Sequence, residues 1–122
     1  MIRGDIYWVD LDPVVGSEAD KTRPAIIVSS NGANARAAMD GRGVITVVPL
    51  TSNTDNVYAF QVFVPSSLSG LDYDSKAQAE QVRSVAIERI DDPIGSLTPE
   101  LLKELDDALR LHLALGPVGA TA

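Results

Sequence analysis

The sequence predicts a small, mainly β domain: an SH3-like antiparallel β-barrel carrying one C-terminal α-helix. Three observations point to it. Short β-branched and aromatic segments recur with turn residues between them, as in a small barrel or sandwich. One well-capped amphipathic helix follows the last of them. The chain has 122 residues, 45% hydrophobic and 22% charged, which is enough for one domain with a core and too short for two. Residues 1–115 are read as that domain, and 116–122 as a small-residue tail expected to fray.

Strands are expected at about 3–11, 24–30, 43–50 and 57–64, with a shorter piece at 79–86. Val44, Ile45, Val47 and Val48 give the third the β-branched density of a central strand. Phe60 to Val64 alternates apolar and polar residues like a half-exposed one. Residues 31–43 hold Gly32, Gly41 and Gly43 around an alanine-rich stretch, and are expected to form one or two helical turns inside a mobile loop. The helix begins at Thr98-Pro99-Glu100, with a hydroxyl cap, a proline in the first turn and an acid at the positive end of the dipole. Leu101, Leu102, Leu105, Ala108 and Leu109 recur at helical spacing, so one face packs on the barrel.

Composition excludes several function classes. No apolar run approaches a membrane span, and the N-terminus lacks an apolar leader core, which places the protein in the cytoplasm. With no cysteine and a single histidine, His112, thiolate nucleophiles, zinc sites and a two-histidine mechanism are excluded by count. Asp10 and Asp12 share a strand face and would be the residues to hold magnesium. The simpler reading makes them strand-end and turn charges, so no metal or cofactor is expected. The net charge of −7 argues against a polyanionic partner until its distribution is considered. Residues 91–107 carry six acids against Lys103, whereas residues 21–42 carry Lys21, Arg23, Arg36 and Arg42 against Asp40. A small basic site on an acidic chain suits a short single-stranded ligand better than a duplex.

The chemistry concentrates in residues 16–24, a polar loop too long for a tight hairpin. It offers Glu18, Lys21 and Arg23, and Pro24 restricts Arg23 to extended backbone. An arginine fixed in this way is a good anion clamp. Thr51 and Ser52 supply further donors, although such a cluster also reads as a polar turn. Tyr7 and Trp8 are available to stack on bases, with core packing the better reading for at least one of them.

Arg3-Gly4-Asp5-Ile6-Tyr7-Trp8, Asp10-Leu11-Asp12-Pro13, Gly16-Ser17-Glu18 and Thr22-Arg23-Pro24 together resemble the opening of the MazF/PemK toxins of toxin-antitoxin modules. Val48-Pro49-Leu50-Thr51-Ser52 and Ala79-Glu80-Gln81-Val82-Arg83-Ser84 follow in the same order. The resemblance implies an SH3-like barrel and a metal-independent, sequence-specific endoribonuclease cutting single-stranded RNA. It also implies a homodimer and a cognate antitoxin, expected here as a separate chain. By the same resemblance Arg23 and Thr51 match the catalytic pair, and Glu18 an acidic position used in some members. Lys21, Ser52, Gln81 and Arg83 are the expected RNA-binding residues. Gln81 and Arg83 share one face of a strand in this reading, for RNA contact or support of the site. Ser17, Gln78 and Glu80 stand where certain members carry a histidine, an arginine and an aspartate, so the acid and base assignments stay open. The alternative is a non-catalytic barrel toxin of the CcdB type that binds a protein such as DNA gyrase.

Overall fold

The computed structural model describes residues 1–116; residues 117–122, most of the expected tail, lie outside them. The elements run β1 (Asp5–Asp10), β2 (Thr22–Ile27), α1 (Asn31–Asp40), β3 (Val44–Thr51), β4 (Gln61–Val64), β5 (Ser75–Gln78), β6 (Arg83–Ala86), β7 (Ile90–Ser96) and α2 (Pro99–Leu113). All strand pairs are antiparallel. The sheet order is β4-β5-β3-β2-β1-β7, with β6 also on β3.

Strand β3 organises this sheet. On one edge it pairs with β2. On the other it pairs with β6 through Val44 to Val47 and with β5 through Leu50 and Thr51. The gap between those two partners falls at Val48 and Pro49, and proline has no N–H to offer a ladder. A 3₁₀ turn, Ala79–Gln81, carries the chain across it. Residues 79–86 are therefore not one strand as expected. Gln81 lies in the turn and Arg83 opens β6, so the two do not share a strand face.

Both faces of the central strands are buried. Ile26, Val48 and Leu50 point into a core with Ile6, Val62, Val64, Leu101 and Leu105, covered by α2. Ala25, Ile27, Val47 and Ile45 point the opposite way, into a second core with Val9, Leu11, Ala19 and Ala37. This period-2 division explains why Ala25, Ile26, Ile27, Val47 and Val48 are all fully buried. The second core is closed by α1 and by the loop from 11 to 21. Helix α2 has the predicted cap: Thr98 Oγ1 accepts from Leu101 N at 3.2 Å. Arg3 ties the N-terminus to it, donating to Val28 O at 2.8 Å and to Asp106 Oδ1 at 2.7 Å.

The expected barrel class holds, with its closure made by packing. No ladder joins the end strands β4 and β7. Instead the segment after β4 lies directly on β7, where a Cβ on Gly95 would stand 1.9 Å from Ser69 O and one on Gly70 would stand 2.9 Å from Ile94 O. Residues 31–43 depart from expectation: α1 is a full ten-residue helix. Ser30 caps its start and Gly41, at φ 65°, its end. Buried Asn34 anchors it, donating to Ser29 O at 2.9 Å and accepting from Ser29 Oγ at 2.5 Å.

Candidate active site

The register of the central ladder builds the site. Strands β2 and β3 pair at Ile27↔Val47, Ile26↔Val48 and Ala25↔Pro49, and there the ladder stops. The next positions in the same register would be Pro24 opposite Leu50 and Arg23 opposite Thr51. Pro24 brings no N–H to continue it. From this point β2 stays with β1 (Trp8↔Pro24, Val9↔Arg23), while β3 turns to β5 (Leu50↔Ala77, Thr51↔Lys76). The strands part around a cleft of about 460 Å³ whose lining includes Lys21, Arg23, Pro24, Leu50, Thr51 and Ser52. Four of the predicted residues, Lys21, Arg23, Thr51 and Ser52, are thus brought together.

Arg23 is oriented before any ligand arrives. Its Nε donates to Asp20 O at 2.7 Å and its Nη2 to Asp20 Oδ1 at 2.9 Å. Two of the five guanidinium N–H groups are engaged; the other three have no protein acceptor among the described residues. Lys21 holds φ 64°, a left-handed conformation that costs a non-glycine residue about 1 kcal/mol or more. It is held there by Lys21 N donating to Asp12 Oδ1 at 3.0 Å and Leu11 N donating to Lys21 O at 2.9 Å. Asp12 N in turn donates to Asp10 Oδ1 at 3.1 Å, so Asp10 and Asp12 serve as turn-forming acceptors.

The other predicted residues stand outside the cleft. Glu18 is exposed, and its Oε1 accepts from Val15 N at 3.3 Å. Gln81 pins the loop, accepting from Ala19 N and donating to Ser17 O, each at 3.0 Å. Arg83 donates to Leu11 O at 3.1 Å. Arg89, which sequence reasoning did not single out, donates to Asp10 O at 3.1 Å and also to Asp12 O. These three side chains fasten both ends of the loop that presents Lys21 and Arg23. Arg36 and Arg42 do not join the cleft either, and Arg36 pairs with Asp40 on α1.

Other cleft residues were not among the site residues expected from the sequence, where Asp72 and Asp74 read as loop polarity: Leu71, Asp72, Tyr73 and Ser75 before and in β5, and Pro93 and Ile94 from β7. Of the two aromatics left open, Tyr7 packs against the second core and Trp8 lines the cleft. Burial, and then the Asp5 carboxylate, raise the pKa of the Tyr7 hydroxyl above its ordinary value.

Lys76 does not line the cleft but pairs with a residue that does. Directly opposite Thr51, it is buried. Its Nζ donates to Asn56 O at 2.5 Å and lies 5.7 Å from the centre of the Tyr58 ring. It forms no ion pair among the described residues. The ammonium folds the segment after Ser52 back over β5. A hydrogen bond from a charged donor contributes about 1.5–3 kcal/mol, so Lys76→Met is expected to speed amide exchange at 53–58 about tenfold. Global stability should change little, since a buried unpaired charge is itself costly. Hydrogen exchange read by mass spectrometry checks both, and unchanged protection at 53–58 would remove Lys76 from this role.

Residues 2–113 match the family model for PemK-like, MazF-like toxins of type II toxin-antitoxin systems. The chain is 56% identical over 115 residues to the endoribonuclease MazF9 of Mycobacterium tuberculosis, spanning 94% of this chain and 98% of that protein. It is 31% identical over 114 residues to the endoribonuclease EndoA of Bacillus subtilis, spanning 93% and 94%. Among solved structures, a mycobacterial endoribonuclease in complex with its cognate antitoxin has the same fold. Its TM-score is 0.75 at 24% identity, covering 95% of this chain and 97% of that one. Family model, relatives and fold agree: the chain belongs to the PemK-like, MazF-like toxins of type II toxin-antitoxin systems.

Proposed function

We propose that the protein is the toxin of such a module and acts as a metal-independent endoribonuclease on single-stranded RNA. The observation that carries this reading is the parting of β2 and β3 at Pro24, which sets Arg23 across from Thr51 over an open cleft. A phosphate seated between them receives the guanidinium N–H groups left over from Asp20 and the hydroxyls of Thr51 and Ser52. Lys21 adds a second cation at the mouth. A general base takes the 2'-hydroxyl proton, the freed oxygen bonds to the adjacent phosphorus, the bond from phosphorus to the 5'-oxygen breaks, and that oxygen takes a proton from a general acid. The products are a cyclic phosphate and a 5'-hydroxyl. Arg23 stabilises the charge that grows on the phosphate. It stays protonated at any physiological pH, which suits a stabiliser or proton donor and not a base. Glu18 reaches the base position only if the exposed loop releases it from Val15 N.

Curated relatives spanning nearly the whole chain are endoribonucleases, and the gyrase-binding alternative is not favoured. In the same reading the partner is a separate antitoxin chain, as in the related mycobacterial complex. Its acidic segment would take the place of phosphate at Arg23 and Lys21. The working form is a homodimer in the cytoplasm. No helix among the described residues is long and apolar enough to cross a membrane.

Incubating the protein with a long single-stranded RNA in EDTA tests the proposal. Discrete cuts bearing 5'-hydroxyl ends are expected at a recurring short sequence, at a rate unchanged by added magnesium. RNA left intact in EDTA and cut on addition of magnesium would overturn the metal-independent mechanism.

A further inference from the structure

The cleft contains more than a phosphate site needs. Beyond Arg23 and Thr51 its walls are Leu50, Leu71, Pro93 and Ile94, with Trp8 and Tyr73 at the rim. The two aromatics are exposed by 38% and 73%, high for large aromatic side chains. Apolar walls and open ring faces suit the π-faces of an unstacked base. The charged lining is Lys21, Arg23 and Asp72. The two cations suit phosphate. Asp72, by charge alone, opposes it.

Asp72 is presented by a fixed loop. Asp74, two residues on, is used structurally: its Oδ1 accepts from Ser66 N at 2.8 Å. Ser75 Oγ donates to Tyr73 O at 3.0 Å, Leu71 is buried in the first core, and Gly70 lies against β7. Asp72 itself forms no ion pair among the described residues. Its carboxylate accepts hydrogen bonds and donates none. The base groups that answer it best are exocyclic amines: N4 of cytosine, N6 of adenine and N2 of guanine. Uracil has no amine, and its one Watson–Crick donor, N3–H, is flanked on both sides by carbonyl oxygens, which a carboxylate repels.

Resting on the ribonuclease reading above, we propose that this cleft seats one base next to the scissile phosphate, with Asp72 as its specificity-determining residue. Asp72 selects a base bearing an exocyclic amine and rejects uracil. Trp8 and Tyr73 supply the stacking surface.

Oligomers that cannot be cut separate this from catalysis. Hexamers of deoxycytidine, deoxyadenosine and deoxyuridine lack the 2'-hydroxyl, and Trp8, the single tryptophan of the chain, reports occupancy of the cleft by its fluorescence. The wild-type protein is expected to bind deoxycytidine or deoxyadenosine hexamers at least about tenfold tighter than deoxyuridine hexamers. Asp72→Ala should bring the three within about twofold, and Asp72→Asn, whose amide can donate to a uracil carbonyl, should raise deoxyuridine binding. Mapping cuts in a random single-stranded RNA pool should show uracil admitted by Asp72→Ala at one position beside the cut. At sequences that already satisfy the wild type, the rate at subsaturating RNA should fall by up to about the same tenfold, because the contact to the exocyclic amine is lost.

Equal binding of all three hexamers by the wild type, or no Trp8 response, overturns the base seat even if RNA is cut. Loss of cutting at every sequence in Asp72→Ala, with hexamer selectivity intact, overturns the specificity role and assigns Asp72 to the 2'-hydroxyl. Hexamer selectivity that depends on Asp72, in a protein that cuts no RNA, keeps the base seat and removes the nuclease reading.

Discussion

Arg23→Ala is expected to lower kcat for RNA cleavage by at least 10²–10³-fold, on the order of the loss seen when one preorganised transition-state donor is removed. The structure separates this from unfolding. Arg23 is only partly buried, and its ion pair with Asp20 is a local i,i+3 contact with the acid half-exposed. Pairs of that kind contribute about 0–1 kcal/mol. The melting temperature should therefore move by no more than about 3–4 °C while activity is lost. Arg23→Lys retains the charge but not the fork that bonds Asp20 and phosphate together, and should recover part of the rate. Single-turnover cleavage beside a thermal melt reads both quantities. A variant that melts normally and cuts within about threefold of wild type would remove Arg23 from the chemistry.

The proposed catalytic pair was half visible in the sequence. Pro24 and Pro49 each mark a place where a strand cannot continue its ladder, and each lies beside a polar residue, Arg23 before one and Thr51 two positions after the other. What the sequence could not reveal was the register. The pairing Ala25↔Pro49 is a long-range choice that leaves Arg23 and Thr51 lining one cleft, and it depends on which faces of β2 and β3 meet which core. The same limit explains Gln81, Arg83 and Arg89. Their carbonyl and amide partners lie more than 60 positions away in the chain, so side chains that look ready for a ligand are consumed in holding a loop.

The missed elements have local causes. Helix α1 buries only Asn34 and Ala37, leaving no apolar stripe to detect. The legible signals are its ends, Ser30 and Gly41, which outweigh the single glycine within, Gly32. Strand β5 reads Ser-Lys-Ala-Gln and has no β-branched residue. Strand β7 contains Asp91, Asp92, Pro93 and Gly95, all poor strand formers. It persists as an edge strand with register shifts against β1, where a proline costs no ladder bond. Helix α2 and β3 were legible because propensity, capping and burial agree there.

Glycine-to-alanine changes at 95 and 32 should act in opposite directions. At Gly95 a Cβ would stand 1.9 Å from Ser69 O, 3.0 Å from Ser69 C and 3.3 Å from Gly70 Cα. All three are backbone atoms, so no rotamer change relieves the clash. Gly95→Ala must push the segment after β4 away from β7, and that contact closes a barrel with no ladder across its seam. Overpacking costs about 1–3 kcal/mol where side chains can adjust; here the cost is expected at or above 3 kcal/mol, a fall of roughly 10 °C in melting temperature. At Gly32, inside α1, a Cβ meets nothing within 4 Å. Alanine is the better helix former by about 0.5–1 kcal/mol, so Gly32→Ala should raise the melting temperature by a few degrees. The seam change should also reach function, because Ile94, Leu71 and Asp72 line the cleft beside the closure. At temperatures where Gly95→Ala remains folded, its RNA cleavage should still be slower than wild type. Equal melting temperatures for Gly95→Ala and wild type would show that the close approach of Ser69 to β7 does not hold the barrel shut.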